Sequence, residues 1–332
     1  MCGTDLQILR GLRSDVARVL GHEGVAEVLL DRPNLSTRYV IFNPVDAGNQ
    51  DRILGHSDDG IFAQMILPSV GTLVPADPRL IVDLCPLIEP LSTVLYTWEL
   101  LTLRQFPSEV GIWGGGTAAI LAALITDLNG ARCHIFHHRQ KRLNWLRSRV
   151  SLRTAEWHCS SDPEVQRSRP FLDAAILATS RDGAGRALAQ AVRLVRDDGI
   201  LDLFGGFAVG DTSIDLPGLD LGSVRRANAS GKVQIGSIHV RRHSGGYVWV
   251  TGHRGSSDRQ LMKSQYLLID HTERFRTLVT HVISLAHAVD FLPLLYAHTD
   301  SIDFLKVVID PTLRTDSREP DLCITLRDVK LP

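Results

Sequence analysis

No C-x-x-C pair occurs in the chain, and its five cysteines, Cys2, Cys85, Cys133, Cys159 and Cys323, are scattered and odd in number. That is a poor disulfide framework and a poor structural zinc site, so a bound metal would need mixed ligands. Charge of one sign is missing as well: 36 Lys and Arg face 37 Asp and Glu. A net charge of -1 excludes a nucleic-acid binder that works by bulk electrostatics. The longest apolar stretch, 112–125, is interrupted by three glycines and stopped by Thr126-Asp127. It falls short of the roughly 18–20 residues of a membrane span. The opening residues Met1-Cys2-Gly3-Thr4-Asp5 have neither the charged nor the apolar region of a secretory signal. The expectation is a cytoplasmic protein with no membrane or nucleic-acid partner.

What the chain does have is core material, with 44% apolar residues over 332 positions. Single cores stop growing at roughly 250–300 residues, so two domains are expected. The first hundred residues carry short β-like runs at 25–30, 39–42 and 62–67, separated by turns rich in Pro, Gly, Asn and Asp. From Glu109 the rhythm changes. A strand at 109–113, a turn at Gly114-Gly115-Gly116 and an Ala/Leu-rich helix at 117–128 stopped by Asn129-Gly130 are followed by a strand at 133–136. Further on come a strand at 174–178, a helix at 184–195, an Asp-Asp-Gly turn and a strand at 200–204. Strands alternating with helices predict parallel βαβ units. Helical periodicity returns at 258–269 and 281–296, and 304–309 is β-rich.

Gly114-Gly115-Gly116-Thr117-Ala118-Ala119 fits G-x-G-x-x-G/A in strand-turn-helix context. Glycines permit the tight turn and close backbone approach, and the helix N-terminus offers N–H groups and a positive dipole end to a pyrophosphate. Gly114, Gly116, Thr117 and Ala118 are therefore candidate cofactor contacts. About 20 residues on, where a carboxylate would hold the ribose 2′-OH of NAD, stands His137-His138-Arg139-Gln140-Lys141-Arg142. With no carboxylate to repel a 2′-phosphate, His137, His138, Arg139 and Arg142 favour NADP(H) over NAD(H). The same residues read equally as solvated charges opening the next helix.

Cys2, then Gly21-His22-Glu23, then Glu89-Pro90 supply thiolate, imidazole and carboxylate, the ligand types of catalytic zinc sites, which use three protein ligands and keep one position open. Taken singly, each residue reads as an ordinary buried His or surface Glu.

Together with Cys2-Gly3-Thr4-Asp5, Gly21-His22-Glu23-Gly24, Gly60-Ile61-Phe62-Ala63, Ile88-Glu89-Pro90-Leu91, the glycine turn, Leu203-Phe204-Gly205-Gly206 and Lys306-Val307-Val308-Ile309, the chain resembles the zinc-dependent medium-chain dehydrogenases. The order is collinear and spans residues 2 to about 310. The resemblance implies an α/β protein with a GroES-like β-rich catalytic domain at 1–100, a Rossmann doubly wound parallel sheet at 101–275, and a return to the catalytic domain plus a tail at 276–332. It also implies a zinc site from Cys2, His22, Glu23 and Glu89, a proton-relay hydroxyl at Thr4, a cofactor contact at Gly205, and a homodimer or homotetramer. The activity implied is hydride transfer between NAD(P)(H) and a polyol, cyclitol or sugar-derived secondary alcohol or ketone.

Departures from the family pattern qualify this reading. No four-cysteine lobe for a second zinc is present, Gln7 stands where many relatives carry a relay histidine, and only Met1 precedes a motif that relatives place after about thirty residues. The expectation is a start codon set too late or a β-domain without its first strands. The basic segment 223–247 is an oligomer contact, an anionic-substrate contact or a solvated loop. Two rivals therefore stand beside the leading reading: an NADPH-dependent alditol-phosphate (ribulose-5-phosphate type) reductase, and a catalytically silent homologue acting as a binding subunit.

Overall fold

The computed structural model describes residues 1–13, 15–29, 38–46, 49, 52–297 and 302–313. Leu30, Cys323 and the tail from 314 onward lie outside them. Two compact units form, Met1–Ser92 with Ser256–Pro332, and Thr93–Gly255. The divisions thus fall at 92 and 255 rather than at 100 and 275.

In the first unit, helix α1 (Gly3–Leu9) is followed by a three-stranded antiparallel sheet of β1 (Val25–Glu27), β2 (Tyr39–Phe42) and β3 (Leu73–Pro75). Helix α2 (Ile88–Leu101) begins in this unit and continues into the next. The run at 62–67 is not a strand. The backbone N–H groups of Gly60, Ile61 and Phe62 donate to the carbonyls of Val19, Gly21 and Leu20, after which Ala63 turns back on Ile61 and Met65 and Leu67 point to solvent.

The second unit is a seven-stranded sheet. Its strands are β4 (Glu109–Trp113), β5 (Arg132–His137), β6 (Ala155–Cys159), β7 (Leu172–Leu177), β8 (Val195–Asp202), β10 (Ser237–Arg241) and β11 (Tyr247–Thr251), with β9 (Asn228–Ala229) and β12 (His253–Arg254) in a separate pair. The order is β10-β11-β8-β7-β4-β5-β6, all parallel except the β10–β11 hairpin. Leaving out β10, this is the doubly wound order 3-2-1-4-5-6, with its switch point between β4 and β7. Helix α3 (Thr117–Leu128) occupies the span read from sequence and is buried along nearly its whole length, which its Ala/Leu composition permits. Helices α4 (Gln140–Arg149), α5 (Pro163–Arg167), α6 (Arg181–Leu194) and α7 (Leu221–Arg225) complete the unit.

The Asp-Asp-Gly turn lies inside β8 as an irregularity, with Asp198 at φ 59°. The basic segment is ordered structure rather than a solvated loop: much of it is the β10–β11 hairpin. Just after β10, the buried guanidinium of Arg242 donates to the carbonyls of Val192 (3.2 Å) and Val195 (2.9 Å) and pairs with Asp197.

Back in the first unit, α8 (Asp258–Asp270) opens with a Ser257/Gln260 capping box and lays Gln265 on the backbone of Pro75 and Asp77. These bonds explain why 258–270 belongs to this unit. Helix α9 (Thr272–Arg276) and β13 (Val279–Ser284) follow. The span 281–296, helical by periodicity, begins as strand, because His281, Val282 and Ile283 pair in parallel with Val307, Val308 and Ile309 of β14 (Lys306–Asp310). Helix α10 starts only at Leu285. Leu6, Ala288, Leu292, Leu295 and Val307 form the core that holds α1, α10 and β14 together. Among the described residues, no helix is long and apolar enough to cross a membrane.

A buried polar chain crosses the second unit: the Thr97 hydroxyl donates to Asp202 Oδ2 at 2.8 Å and lies 2.8 Å from His253 Nε2. Burial pushes the Asp202 carboxyl up to about 7, against the opposing pull of the Thr97 hydroxyl and Arg225. An unfolded aspartate ionises near about 3.9, so folding takes up a proton between about pH 4 and about pH 7 and stability falls as pH rises through that window. Urea unfolding of Asp202→Asn across this range is expected to lack the slope, which amounts to at most about 1.4 kcal/mol per pH unit. Parallel pH profiles for the two proteins would contradict it.

Candidate metal and dinucleotide sites

Cys2 is the N-cap of α1, a position that usually takes Ser, Thr, Asp or Asn because sulfur is a weak acceptor. Its Sγ accepts the Thr4 N–H at 3.2 Å, and its own N–H donates to Asp5 Oδ2 at 2.7 Å. The other Asp5 oxygen accepts from the Gly21 N–H at 3.1 Å and lies 4.0 Å from His22 Nδ1. One buried carboxylate thus ties the cap of α1 to the backbone at Gly21, next to His22. His22 Nε2 then faces Cys2 Sγ at 3.5 Å. A tetrahedral zinc with bonds of about 2.3 Å to sulfur and about 2.0–2.1 Å to nitrogen sets those atoms about 3.5 Å apart.

Two overlapping triplets share His22. Cys2, Asp5 and His22 offer ligand atoms within 4.8 Å of one another, and so do His22, Glu23 and Glu89. The four residues expected from sequence therefore meet around one imidazole. Glu23, however, gives one carboxylate oxygen to Lys306 in a buried ion pair, with Lys306 only 1% exposed. Burial pushes the Glu89 carboxyl above its ordinary value, and the charge of Glu23 adds to the effect. The Cys2 thiol is likewise raised by burial and by the carboxylates of Asp5 and Glu23. A half-buried thiol beside buried imidazole and carboxyl groups, with Lys306 compensating Glu23, forms a donor set suited to a divalent cation. His22 belongs to both triplets, and Glu23 enters the second with one carboxylate oxygen already paired to Lys306.

In the second unit, Gly114 stands at φ 141°, and a Cβ there would lie 2.3 Å from the Ala178 carbonyl oxygen. Only glycine lets β4 turn this close to β7. Gly116 is the N-cap of α3 and no side chain caps it, so the first-turn N–H groups of Thr117 and Ala118 face the end of the helix, where an anion binds. Gly205 donates to the Leu177 carbonyl at 3.0 Å, which seats its turn at the same carboxyl edge of the sheet. Arg142 corrects the sequence reading. Its Nε and Nη2 donate to the Gly115 carbonyl at 3.1 and 2.7 Å, and it stacks on Trp145 at 4.4 Å, so it braces the turn instead of presenting its charge. His137 also changes role, since burial and the neighbouring His138 hold it down to about 4, neutral at physiological pH. Of the predicted cations, His138 and Arg139, the N-cap of α4, remain as candidates for a 2′-phosphate.

The sequence reading missed two members of the metal-site cluster. Asp5 was legible as the N3 partner of a capping box, and Lys306 as the one charge opening an apolar strand, but neither signal named its partner.

Neither a family model nor a curated protein matches the sequence. Solved structures do match. The 2R,3R-butanediol dehydrogenase of Bacillus subtilis is 17% identical with a TM-score of 0.69, over 94% of this chain and 89% of that one. L-idonate 5-dehydrogenase of Escherichia coli is 15% identical with a TM-score of 0.69, over 93% and 88%. The S. aureus TarJ complex with NADPH is 16% identical with a TM-score of 0.64, over 93% and 87%. The chain has the zinc-type alcohol dehydrogenase fold.

The ion pair in this fold gives a direct test. Lys306→Met leaves Glu23 buried without its cation and is expected to lose about 3–5 kcal/mol in urea unfolding, while Glu23→Gln/Lys306→Met recovers most of it. A single-variant loss below about 1 kcal/mol would show that the pair carries no such weight.

Proposed function

We propose that the chain is a zinc-dependent oxidoreductase that transfers a hydride between NADP(H), in preference to NAD(H), and a polyhydroxylated secondary alcohol or its ketone. The observation that carries this reading is the 3.5 Å approach of Cys2 Sγ to His22 Nε2 in a part-buried donor cluster. When bound, zinc supplies Lewis acidity at a substrate oxygen and the nicotinamide exchanges the hydride. The chain's own residues do the rest. Asp5 anchors the Gly21 backbone beside His22, and the Thr4 N–H donates to the Cys2 sulfur. Lys306 pairs with Glu23 out of water, and the family resemblance gives Thr4 the hydroxyl that would pass a proton from the reacting oxygen. Gly114 and Gly116 would let a pyrophosphate approach the α3 N-terminus, and Arg142 stiffens their turn.

The NADP preference is supported by the lack of a carboxylate at 137–142. The substrate class is supported by the hydroxyl-bearing compounds that name two others. The alditol-phosphate alternative loses Arg242, whose donors are spent on Val192, Val195 and Asp197.

Zinc-loaded protein is expected to change nicotinamide absorbance with NADPH and at least one of a panel of ketoses, cyclitol ketones and their phosphates, and Cys2→Ser to abolish it. Arg139→Ala is expected to raise the KM for NADPH about tenfold, the worth of one charge-assisted contact, with the KM for NADH unchanged. Zinc-bearing protein silent across the panel would leave the binding-subunit reading instead.

A further inference from the structure

A second group of metal-ligand residues lies in the other unit and shares no member with the cluster around His22. His134 on β5 pairs in register with Glu156 on β6, and Phe136 with His158, so His134, Glu156 and His158 share one face of the sheet. His134 Nδ1 is 3.1 Å from His158 Nε2, Glu156 Oε2 is 3.6 Å from His134 Nδ1, and the same oxygen is 3.8 Å from His158 Nε2. A tetrahedral ion with bonds of about 2.0–2.2 Å sets its ligand atoms about 3.3–3.6 Å apart. The triangle needs adjustments of only a few tenths of an ångström to hold one.

The surroundings are organised for the same purpose. His134 Nε2 is 2.7 Å from Glu109 Oε2, and a carboxylate only accepts, so the ring's proton sits on Nε2 and Nδ1 offers its lone pair to the triangle. A carboxylate behind a ligating imidazole is the usual outer support of a metal-bound histidine. Arg132 holds the non-ligating oxygens, with Nε 3.4 Å from Glu109 Oε1 and Nη1 3.2 Å from Glu156 Oε1. Phe136 stacks on His158 at 4.8 Å and Phe171 packs edge-on against His134 at 4.9 Å, so both rings are fixed. His134 is buried while the Glu156 side chain is 49% exposed, which gives an ion an entry path and a fourth position for water.

We propose that His134, His158 and Glu156 bind a divalent transition-metal ion of the zinc type, bridging β5 to β6, the last strand of the sheet order. Two imidazoles and one carboxylate are borderline ligands that suit zinc over magnesium or calcium. The ion would pin an edge strand through two of its own side chains. This site stands independently of the Cys2 and His22 cluster and of the proposed activity.

The test uses full-length protein stripped with chelator, re-equilibrated with zinc and freed of excess, with metal counted by mass spectrometry. Two ions per chain are expected in the wild type, one in His158→Gln, one in Cys2→Ser and none in the double variant. Glu109→Gln is expected to keep the site but weaken it about 10–100-fold. Cobalt(II) loading separates the two sites, since thiolate charge-transfer absorption should vanish in Cys2→Ser and persist in His158→Gln. The thermal midpoint of Cys2→Ser should rise with zinc, and that response should vanish when His158→Gln is added. Equal metal content in wild type and His158→Gln, or none in a folded Cys2→Ser, overturns the proposal. In either case the rings would be a simple hydrogen-bonded pair, with His158 Nε2–H donating to His134. Zinc only at the His158-dependent site would keep this inference and remove the one under Proposed function.

Discussion

The Asp5 carboxylate is the contact on which the metal-site reading depends. It closes the N-terminus of α1 by taking the Cys2 N–H, holds the Gly21 N–H, and lies against His22 Nδ1. Burial opposes its ionisation, yet His22, the amino terminus and the Cys2 N–H together outweigh that and hold the carboxyl below its ordinary value. His22 Nε2 faces Cys2 Sγ, while its Nδ1 is buried without a hydrogen-bond partner, 4.0 Å from the Asp5 carboxylate. That carboxylate ties the residue that caps α1 to the backbone beside His22, and donors twenty residues apart lie close together there.

The two units differ in how directly their sequence displays their structure. The helix at 117–128 was legible to the residue, because an Ala/Leu run framed by glycines allows few other outcomes and every neighbour in the sheet agrees with it. The strand at 39–42 was equally plain from its apolar run and turn flanks. The run at 62–67 has similar composition but only its first residues find backbone partners, so Met65 and Leu67 remain exposed. At 281–284 the pattern favoured helix, and pairing with β14 overrode it. Local pattern cannot report a partner more than twenty residues away.

The sites show the same division. Residue types and order around Cys2, His22, Glu23 and Glu89 announced a donor set, and the fold gathers all four around one imidazole. Sequence could not reveal that Lys306 satisfies Glu23, that Arg142 turns inward onto Gly115, or that burial keeps His137 neutral. Each of these is a property of burial and contact, which only the packed chain determines. A basic run in sequence is thereby reduced to His138 and Arg139 as candidates at the nucleotide.

The central claim is that the cluster around His22 is a metal centre. X-ray absorption at the zinc edge of His158→Gln, in which the outer site is removed, tests it most directly. The account predicts one ion with a sulfur neighbour at about 2.3 Å and nitrogen or oxygen neighbours at about 2.0–2.1 Å, with the sulfur shell lost in Cys2→Ser/His158→Gln. A spectrum without sulfur in the first coordination shell would contradict it.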